Sequence, residues 1–289
     1  MTNKALANLL ENYDLKTLDD YEVALKEIVQ QLALLGLWRS KFYEHAAFYG
    51  GTALRLLYGL RRFSEDLDFS LLASKEDFDF LPHLKAVEKE IESFGFEFSV
   101  EQKRKAIHSQ VESAFIKGNT RINLLCIQAR ENIVKGFQQN RKIKIKLELD
   151  TDPPPGAQYE VKTLLTPIPY WVKTFSQPDL FAGKMHAVLC RQWKSRVKGR
   201  DFYDLVWFLG RKIPCRIGYL TEKMVQTGHW KRGDTLAKGI LLELLENRFK
   251  SVDLEQVKRD VRPFVKDEQE LALWSEEFFL TITEDLEVI

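Results

Sequence analysis

Cysteine is scarce in this chain. Three occur in 289 residues, Cys126, Cys190 and Cys215, odd in number and widely spaced. No CxxC or Cys/His pattern is present, which argues against both a disulfide framework and a zinc site. Long apolar runs are missing as well. No stretch approaches the roughly 18 uninterrupted apolar residues of a membrane span. Residues 1–12 lack a basic region followed by an apolar run, so no signal peptide is expected. Neither charge dominates: 43 Lys plus Arg stand against 42 Asp plus Glu, a formal charge of +1. That balance excludes a uniformly basic, histone-like binder and leaves room for a local basic patch. The histidines, His45, His83, His108, His186 and His229, are scattered. No Ser/His/Asp or Cys/His nucleophile pattern emerges, so covalent hydrolase chemistry is not supported.

What is present is an ordinary soluble composition, 45% hydrophobic and 29% charged. The length allows about two domains at roughly 150 residues each. Leu15 to Leu37 carries Tyr21, Val23, Leu25, Ile28, Val29, Leu32 and Leu35 near a 3.6-residue period and reads as a helix. The run Ala46 to Tyr49 meets Gly50-Gly51, and a helical pattern resumes over Thr52 to Tyr58, with Thr52 placed as an N-cap. Leu67 to Leu72 reads as a strand and Leu81 to Phe94 as an amphipathic helix. Phe96 to Val100, Val111 to Ile116 and Ile122 to Ile127 are strand-like. Lys142 to Asp150 alternates Ile143, Ile145, Leu147 and Leu149 with Lys144, Lys146, Glu148 and Asp150, the period of a half-buried strand. The run Asp152-Pro153-Pro154-Pro155-Gly156 interrupts regular structure. A short strand, Tyr159 to Leu165, follows it. Helical patterns then cover Asp179 to Trp193, Asp201 to Leu209, Thr235 to Phe249 and Leu254 to Val261. The expected division is an α/β unit over 1–165 and a helical unit over 166–289.

The most informative segment runs from Phe48 to Phe69. It reads as strand, Gly-Gly turn, short helix, loop and strand. Two glycines at a strand-to-helix turn let the backbone approach a ligand closely. The helix N-terminus, with Gly50, Gly51 and Thr52 as nucleotide-binding candidates, offers free N–H groups to an anion such as phosphate. Asp66 and Asp68 are two apart, so on a strand their carboxylates share one face. At about 6 Å and an effective permittivity near 20 they repel by roughly 2–3 kcal/mol. A divalent cation between them removes that cost. A phosphate cradle followed by paired carboxylates is the equipment of metal-assisted phosphoryl or nucleotidyl transfer.

Gly50-Gly51-Thr52-Ala53-Leu54-Arg55-Leu56, followed by Arg62-Phe63-Ser64-Glu65-Asp66-Leu67-Asp68-Phe69, resembles the AbiEii/AbiGii toxin nucleotidyltransferases of the DNA-polymerase-β-like superfamily. Later elements of that pattern, a helical lysine and an Arg-Asp-x-Tyr-Asp-Leu stretch, correspond to Lys184 and to Arg200 through Leu205. The resemblance implies a mixed or antiparallel sheet flanked by helices, with a helical domain that contributes Lys184 and Asp201 to the cleft. It implies Mg²⁺, two ions in the usual arrangement, and a nucleoside triphosphate as substrate. The nucleoside monophosphate passes to an acceptor hydroxyl, often an RNA or tRNA 3′ end. A cognate antitoxin protein, a cytoplasmic setting and no membrane partner complete the expectation.

Two-metal transfer usually needs a third carboxylate on a neighbouring strand. Glu148 and Asp150 share the polar face of Lys142 to Asp150. Glu148 is favoured because it lies well inside the strand; a solvent-facing edge hairpin is the competing view. From Lys184 to Arg200 there are six basic residues, Lys184, Arg191, Lys194, Arg196, Lys198 and Arg200, and no acid. Lys184 and Arg191, seven apart, fall on one helix face and are candidates for triphosphate; Arg191 and Lys194 also suit an RNA backbone. Arg62 and Ser64 could touch phosphate. Asp201, which could orient Lys184 or Arg200 or act near the acceptor hydroxyl as a catalytic residue, is favoured by the family pattern over Asp204, which could simply bridge or cap its helix. Asp267 to Ile289 holds eight acids and no Lys or Arg, yet stays amphiphilic, as a docked helix or strand would. Two other readings remain: the same catalyst acting on a protein or small molecule, and a degenerate nucleotide- or RNA-binding module.

Overall fold

The computed structural model describes residues 10, 13–75, 77–103, 111–126, 129, 131–191 and 197–289. The chain forms two compact units. One comprises Met1–Ala53, Glu65–Pro153 and Val161–Thr174; the other comprises Leu54–Ser64, Pro154–Glu160 and Phe175–Ile289.

The first unit begins with helix α1, Leu18–Arg39. Thr17 starts it with a reciprocal cap: its hydroxyl accepts from the Asp20 N–H at 3.2 Å, and the Asp20 carboxylate accepts from the Thr17 N–H at 2.8 Å. Such a cap contributes about 1 kcal/mol. The helix is more central than a one-sided apolar stripe suggests, because Leu34 and Leu37 are buried together with Leu25, Ile28 and Leu32. Strand β1, Ala46–Tyr49, leads directly into helix α2, Gly50–Tyr58. Strand β2, Leu67–Leu71, and helix α3, Leu81–Ser93, follow. α1 crosses α3 at Gly36, where an added Cβ would lie 2.8 Å from the Val87 Cα, so only glycine permits that approach.

Strands β3, Phe98–Lys103, and β4, Val111–Asn119, pair antiparallel. Helix α4, Thr120–Cys126, occupies most of the segment whose alternation reads as a strand in the sequence. Its first turn explains why. The Asn119 side chain accepts from the Ile122 N–H at 3.2 Å, and Asn123 bonds both backbone groups of Glu97, at 2.8 and 3.0 Å. A buried asparagine that satisfies a neighbouring strand end outweighs the β-propensity of Ile122, which is itself exposed. Residues 127 and 128 lie outside the described residues. Helix α5, Glu131–Gly136, precedes β5, Lys142–Asp150, whose bounds match its sequence pattern. β6, Tyr159–Leu164, and β7, Tyr170–Phe175, complete the sheet. β7 has no counterpart in the sequence reading, which passes from the strand ending at Leu165 to the helix starting at Asp179 and assigns no element between them.

The sheet is mixed, in the order β3-β4-β5-β2-β1-β7-β6. β2 is antiparallel to β1 and parallel to β5. β5 therefore lies between β4 and β2, an interior strand rather than an edge hairpin. Phe48, Leu67, Phe69, Ile145, Leu147 and Leu149 are fully buried. Period-2 alternation leaves the other face to the polar side chains of the same strands.

The second unit is helical: α6, Gln177–Cys190; α7, Gly199–Gly210; α8, Ile217–Gln226; α9, Lys238–Ser251; α10, Leu254–Val261; and α11, Glu276–Glu284. Its core holds Phe202, Phe249 and Phe279, with Phe279 5.6 Å from Phe202 and 5.1 Å from Phe249 between ring centres. Aromatic pairs of this kind contribute about 0.5–1.5 kcal/mol each beyond area burial. The acidic C-terminal stretch is docked through α11. Its last residues return to Cys215, whose N–H donates to the Glu287 carbonyl at 2.8 Å.

Candidate active site

The acidic centre begins with the turn between β1 and α2. Gly50 adopts φ +83°, and a Cβ there would lie 2.3 Å from Asp68 Oδ2. Glycine is thus required twice over, for the left-handed backbone and for the approach of the Asp68 carboxylate. Gly51 is buried in the first turn of α2. Thr52 lies inside the helix and does not cap it; its buried hydroxyl donates to the Asp66 carbonyl. That bond ties the first turn of α2 to the entry of β2. Replacing Gly50 with alanine is expected to lower nucleotide transfer at least tenfold and stability by about 1–2 kcal/mol, the cost of a left-handed non-glycine residue. Labelled-nucleotide transfer and urea unfolding measure the two effects. An unchanged rate would show that the close approach to Asp68 has no catalytic consequence.

The sheet register supplies the next element. Asp68 stands opposite Glu148 on the parallel neighbour β5, and Ser70 stands opposite Asp150. Neighbouring strands are roughly 4.8 Å apart. A cation with oxygen ligands at about 2.0–2.6 Å can span that separation. Asp68, Glu148 and Asp150 are all partly exposed, and Asp66 sits one residue before β2 with similar exposure. The Lys146 ammonium lies 2.6 Å from Glu148 Oε1. Sequence reasoning missed Lys146 as the neighbour of Glu148, although their two-residue spacing on one strand face was visible.

Basic and acidic side chains of the second unit form a separate, largely buried network. Lys184 on α6 lies 2.7 Å from Asp204 Oδ2 and 3.3 Å from Asp201 Oδ1. The Arg191 guanidinium donates to Asp201 Oδ2 at 2.6 Å. Arg62 donates to both Asp204 oxygens at 2.6 Å and to the Phe63 carbonyl at 3.0 Å. Three cations against two carboxylates leave one positive charge. Burial works against the Asp201 charge, but Lys184, then Arg191, Lys198 and Arg62, outweigh it and hold the carboxyl below the usual aspartate range.

The network reassigns several sequence candidates. Arg62 is 2% exposed and engaged in a fork–fork pair, so it is a structural cation and not a phosphate contact. Ser64 is buried just ahead of the acidic strand. Asp204 is the nearer partner of Lys184, and Asp201 joins Lys184 to Arg191. Arg191 follows the last turn of α6 with extended backbone, so it meets Lys184 through Asp201 and not along a shared helix face. Asp201 and Asp204, three apart on α7, share a helix face, a spacing that could have announced Asp204 beside Asp201 as a lysine partner. Arg200 stacks 4.1 Å over the Phe264 ring. Lys194 and Arg196 lie outside the described residues.

Residues 32–281 match the family described as Nucleotidyl transferase AbiEii toxin, Type IV TA system. No curated protein matches the chain. Among solved structures, the chain is similar to JHP933 from Helicobacter pylori, with 18% identity over 91% of this chain and 90% of that one and a TM-score of 0.50. At that identity the likeness bears on the fold alone. A second Helicobacter pylori structure, provisionally described as a nucleotidyltransferase, shares 17% identity over 89% of this chain and 92% of that one, with a TM-score of 0.46. Because the family match takes in most of the chain, this protein belongs to the AbiEii nucleotidyltransferase toxins of type IV toxin–antitoxin systems.

Proposed function

We propose that this protein transfers a nucleoside monophosphate from a nucleoside triphosphate to an RNA 3′ hydroxyl, tRNA foremost, in a Mg²⁺-dependent reaction in the cytoplasm. The observation that carries the reading is Glu148 in register with Asp68, beside a glycine turn that admits the Asp68 carboxylate. Asp66, Asp68 and Glu148 form an all-oxygen donor set, which suits a hard cation. When bound there, Mg²⁺ would supply charge neutralisation at the α-phosphate and lower the pKa of the attacking hydroxyl. The N–H groups in the first turn of α2, at Gly50 and Gly51, are the proposed phosphate cradle. The Thr52 hydroxyl holds that turn against Asp66, and Thr52 joins the proposed cradle through its N–H. Lys184 is the proposed triphosphate contact, with Asp201 and Asp204 orienting its ammonium and Arg191 adding charge beside Asp201. Family membership also implies an antitoxin as partner. No helix among the described residues is long and apolar enough to cross a membrane.

The six basic residues between Lys184 and Arg200 support an RNA acceptor, because each phosphate neutralised releases counterions. Induction of the protein alone in a bacterial host is expected to slow growth and to leave extra nucleotides on RNA 3′ ends, read by sequencing. Labelling of total RNA in vitro is expected to fall steeply between low and moderate salt. Clear labelling of a protein band, with unmodified RNA ends, would replace the RNA acceptor with a protein one. Absence of both toxicity and labelling would favour a nucleotide-binding module without transfer.

A further inference from the structure

We infer that the second unit carries a binding site for a borderline transition-metal cation of the zinc type, formed by His186, Cys190 and His229. The spacing of these residues in the sequence argues against a metal site, but the fold gathers them. Among the described residues, one donor atom from each lies within 4.8 Å of the other two. His186 and Cys190 are four apart on α6, so both project from one helix face. His229 comes from the turn after α8 and completes the triangle.

The three donors stand on fixed supports. His229 is held by its own N–H, which donates to the Met224 carbonyl at 2.8 Å, and the next N–H donates to the same oxygen at 3.2 Å. The end of α6 is held by Arg248, which donates to the Val188 carbonyl at 2.8 Å and to the Arg191 carbonyl at 2.6 Å. The Thr227 hydroxyl gathers the two imidazoles, lying 2.9 Å from His186 Nε2 and 3.0 Å from His229 Nδ1. The rings stand at 88° with centres 6.4 Å apart. Tetrahedral zinc places its nitrogen and sulfur ligands about 3.3–3.6 Å from one another, given metal–nitrogen and metal–sulfur bonds of roughly 2.0–2.3 Å. Each pair therefore needs to close by at most roughly 1.5 Å, a shift that rotation of the two histidine side chains can make.

The donor set selects the ion. Two imidazoles and one thiolate favour zinc or a similar borderline cation over Mg²⁺, which prefers the carboxylate oxygens of the other unit. Binding converts the Cys190 thiol to a thiolate and releases its proton to solvent. Three protein ligands leave a fourth position. Cys190 and His229 also line a cavity of about 240 Å³ with Met224, Arg248 and Ser251, which has room for a water molecule in that position. A cation here would tie the end of the helix that carries Lys184 to the turn after α8.

Cobalt titration of the full chain, after removal of metals with chelator and in excess Mg²⁺, tests the site. One equivalent of Co²⁺ is expected to give a thiolate-to-cobalt charge-transfer band, which Zn²⁺ abolishes by displacement. Cys190→Ser is expected to remove the band. His229→Ala, at an exposed position compatible with folding, is expected to weaken cobalt affinity at least tenfold. Failure to bind one equivalent, a band retained in Cys190→Ser, or unchanged affinity in His229→Ala would overturn the site. Asp68→Asn is expected to leave the band intact, so the two metal assignments stand or fall separately.

Discussion

Asp68→Asn lowers nucleotide transfer by about 100-fold or more while the circular dichroism spectrum stays that of the parent. The expectation follows from geometry and charge together. Asparagine has the size of aspartate, so the contact with Gly50 is kept and no cavity opens. What disappears is one negative charge beside Glu148. Loss of a metal ligand removes more than an outer-shell contact, whose loss alone costs about 10–100-fold. The same comparison decides the third carboxylate. Glu148 sits opposite Asp68, whereas Asp150 sits opposite Ser70, one pleat further along the sheet. Glu148→Gln should therefore approach the Asp68→Asn loss, and Asp150→Asn should lose far less. Initial rates with labelled triphosphate across a Mg²⁺ series separate these outcomes. A folded Asp68→Asn protein keeping more than about a tenth of the parent rate would remove Asp68 from the metal site, given those magnitudes.

Arg62→Met destabilises the protein by about 3 kcal/mol, at the lower end of the range for breaking a buried ion pair. Arg62 and Asp204 are 2% and 0% exposed at the side chain, and both Asp204 oxygens accept from the guanidinium. Methionine fills most of the arginine volume, so the loss reflects the buried carboxylate left with fewer partners. The lower end applies because Lys184 still lies 2.7 Å from Asp204. The neighbouring Arg61 provides the contrast. Its side chain is 84% exposed and its distance to Glu270 is 3.8 Å. Arg61→Met should change stability by no more than about 0.5 kcal/mol, as exposed pairs do. Urea unfolding of both variants gives the comparison. Equal losses would mean that the Arg62 pair contributes no more than a surface contact.

Arg62 also marks where local reading stops being sufficient. In the sequence it sits beside Arg61, ahead of an acidic strand, and suits an anion contact as well as any arginine does. Its partner Asp204 belongs to a helix more than a hundred residues later. Nothing in the composition around Arg62 distinguishes a buried pair from an exposed one. His186, Cys190 and His229 are a second instance. The first two have a helical spacing that could have been noticed, but the third arrives by way of α8 and its following turn.

The sequence by itself determined the elements whose signal is local. Strand Lys142–Asp150 and helix Leu254–Val261 have the bounds that their periodicity indicates, because side-chain direction repeats with backbone geometry over a few residues. The Gly-Gly turn is local in the same sense, whereas Asp66 falls one residue before β2, outside the strand whose alternation would set its face with Asp68. Only the tertiary structure decided that β5 runs parallel to β2 at the sheet interior, which places Glu148 rather than Asp150 opposite Asp68. It also turned Thr120–Cys126 into a helix through Asn119 and Asn123, and made a strand of Tyr170–Phe175 between prolines. Strand partner and register depend on which distant surfaces are buried together, and a short window of residues carries no record of that choice.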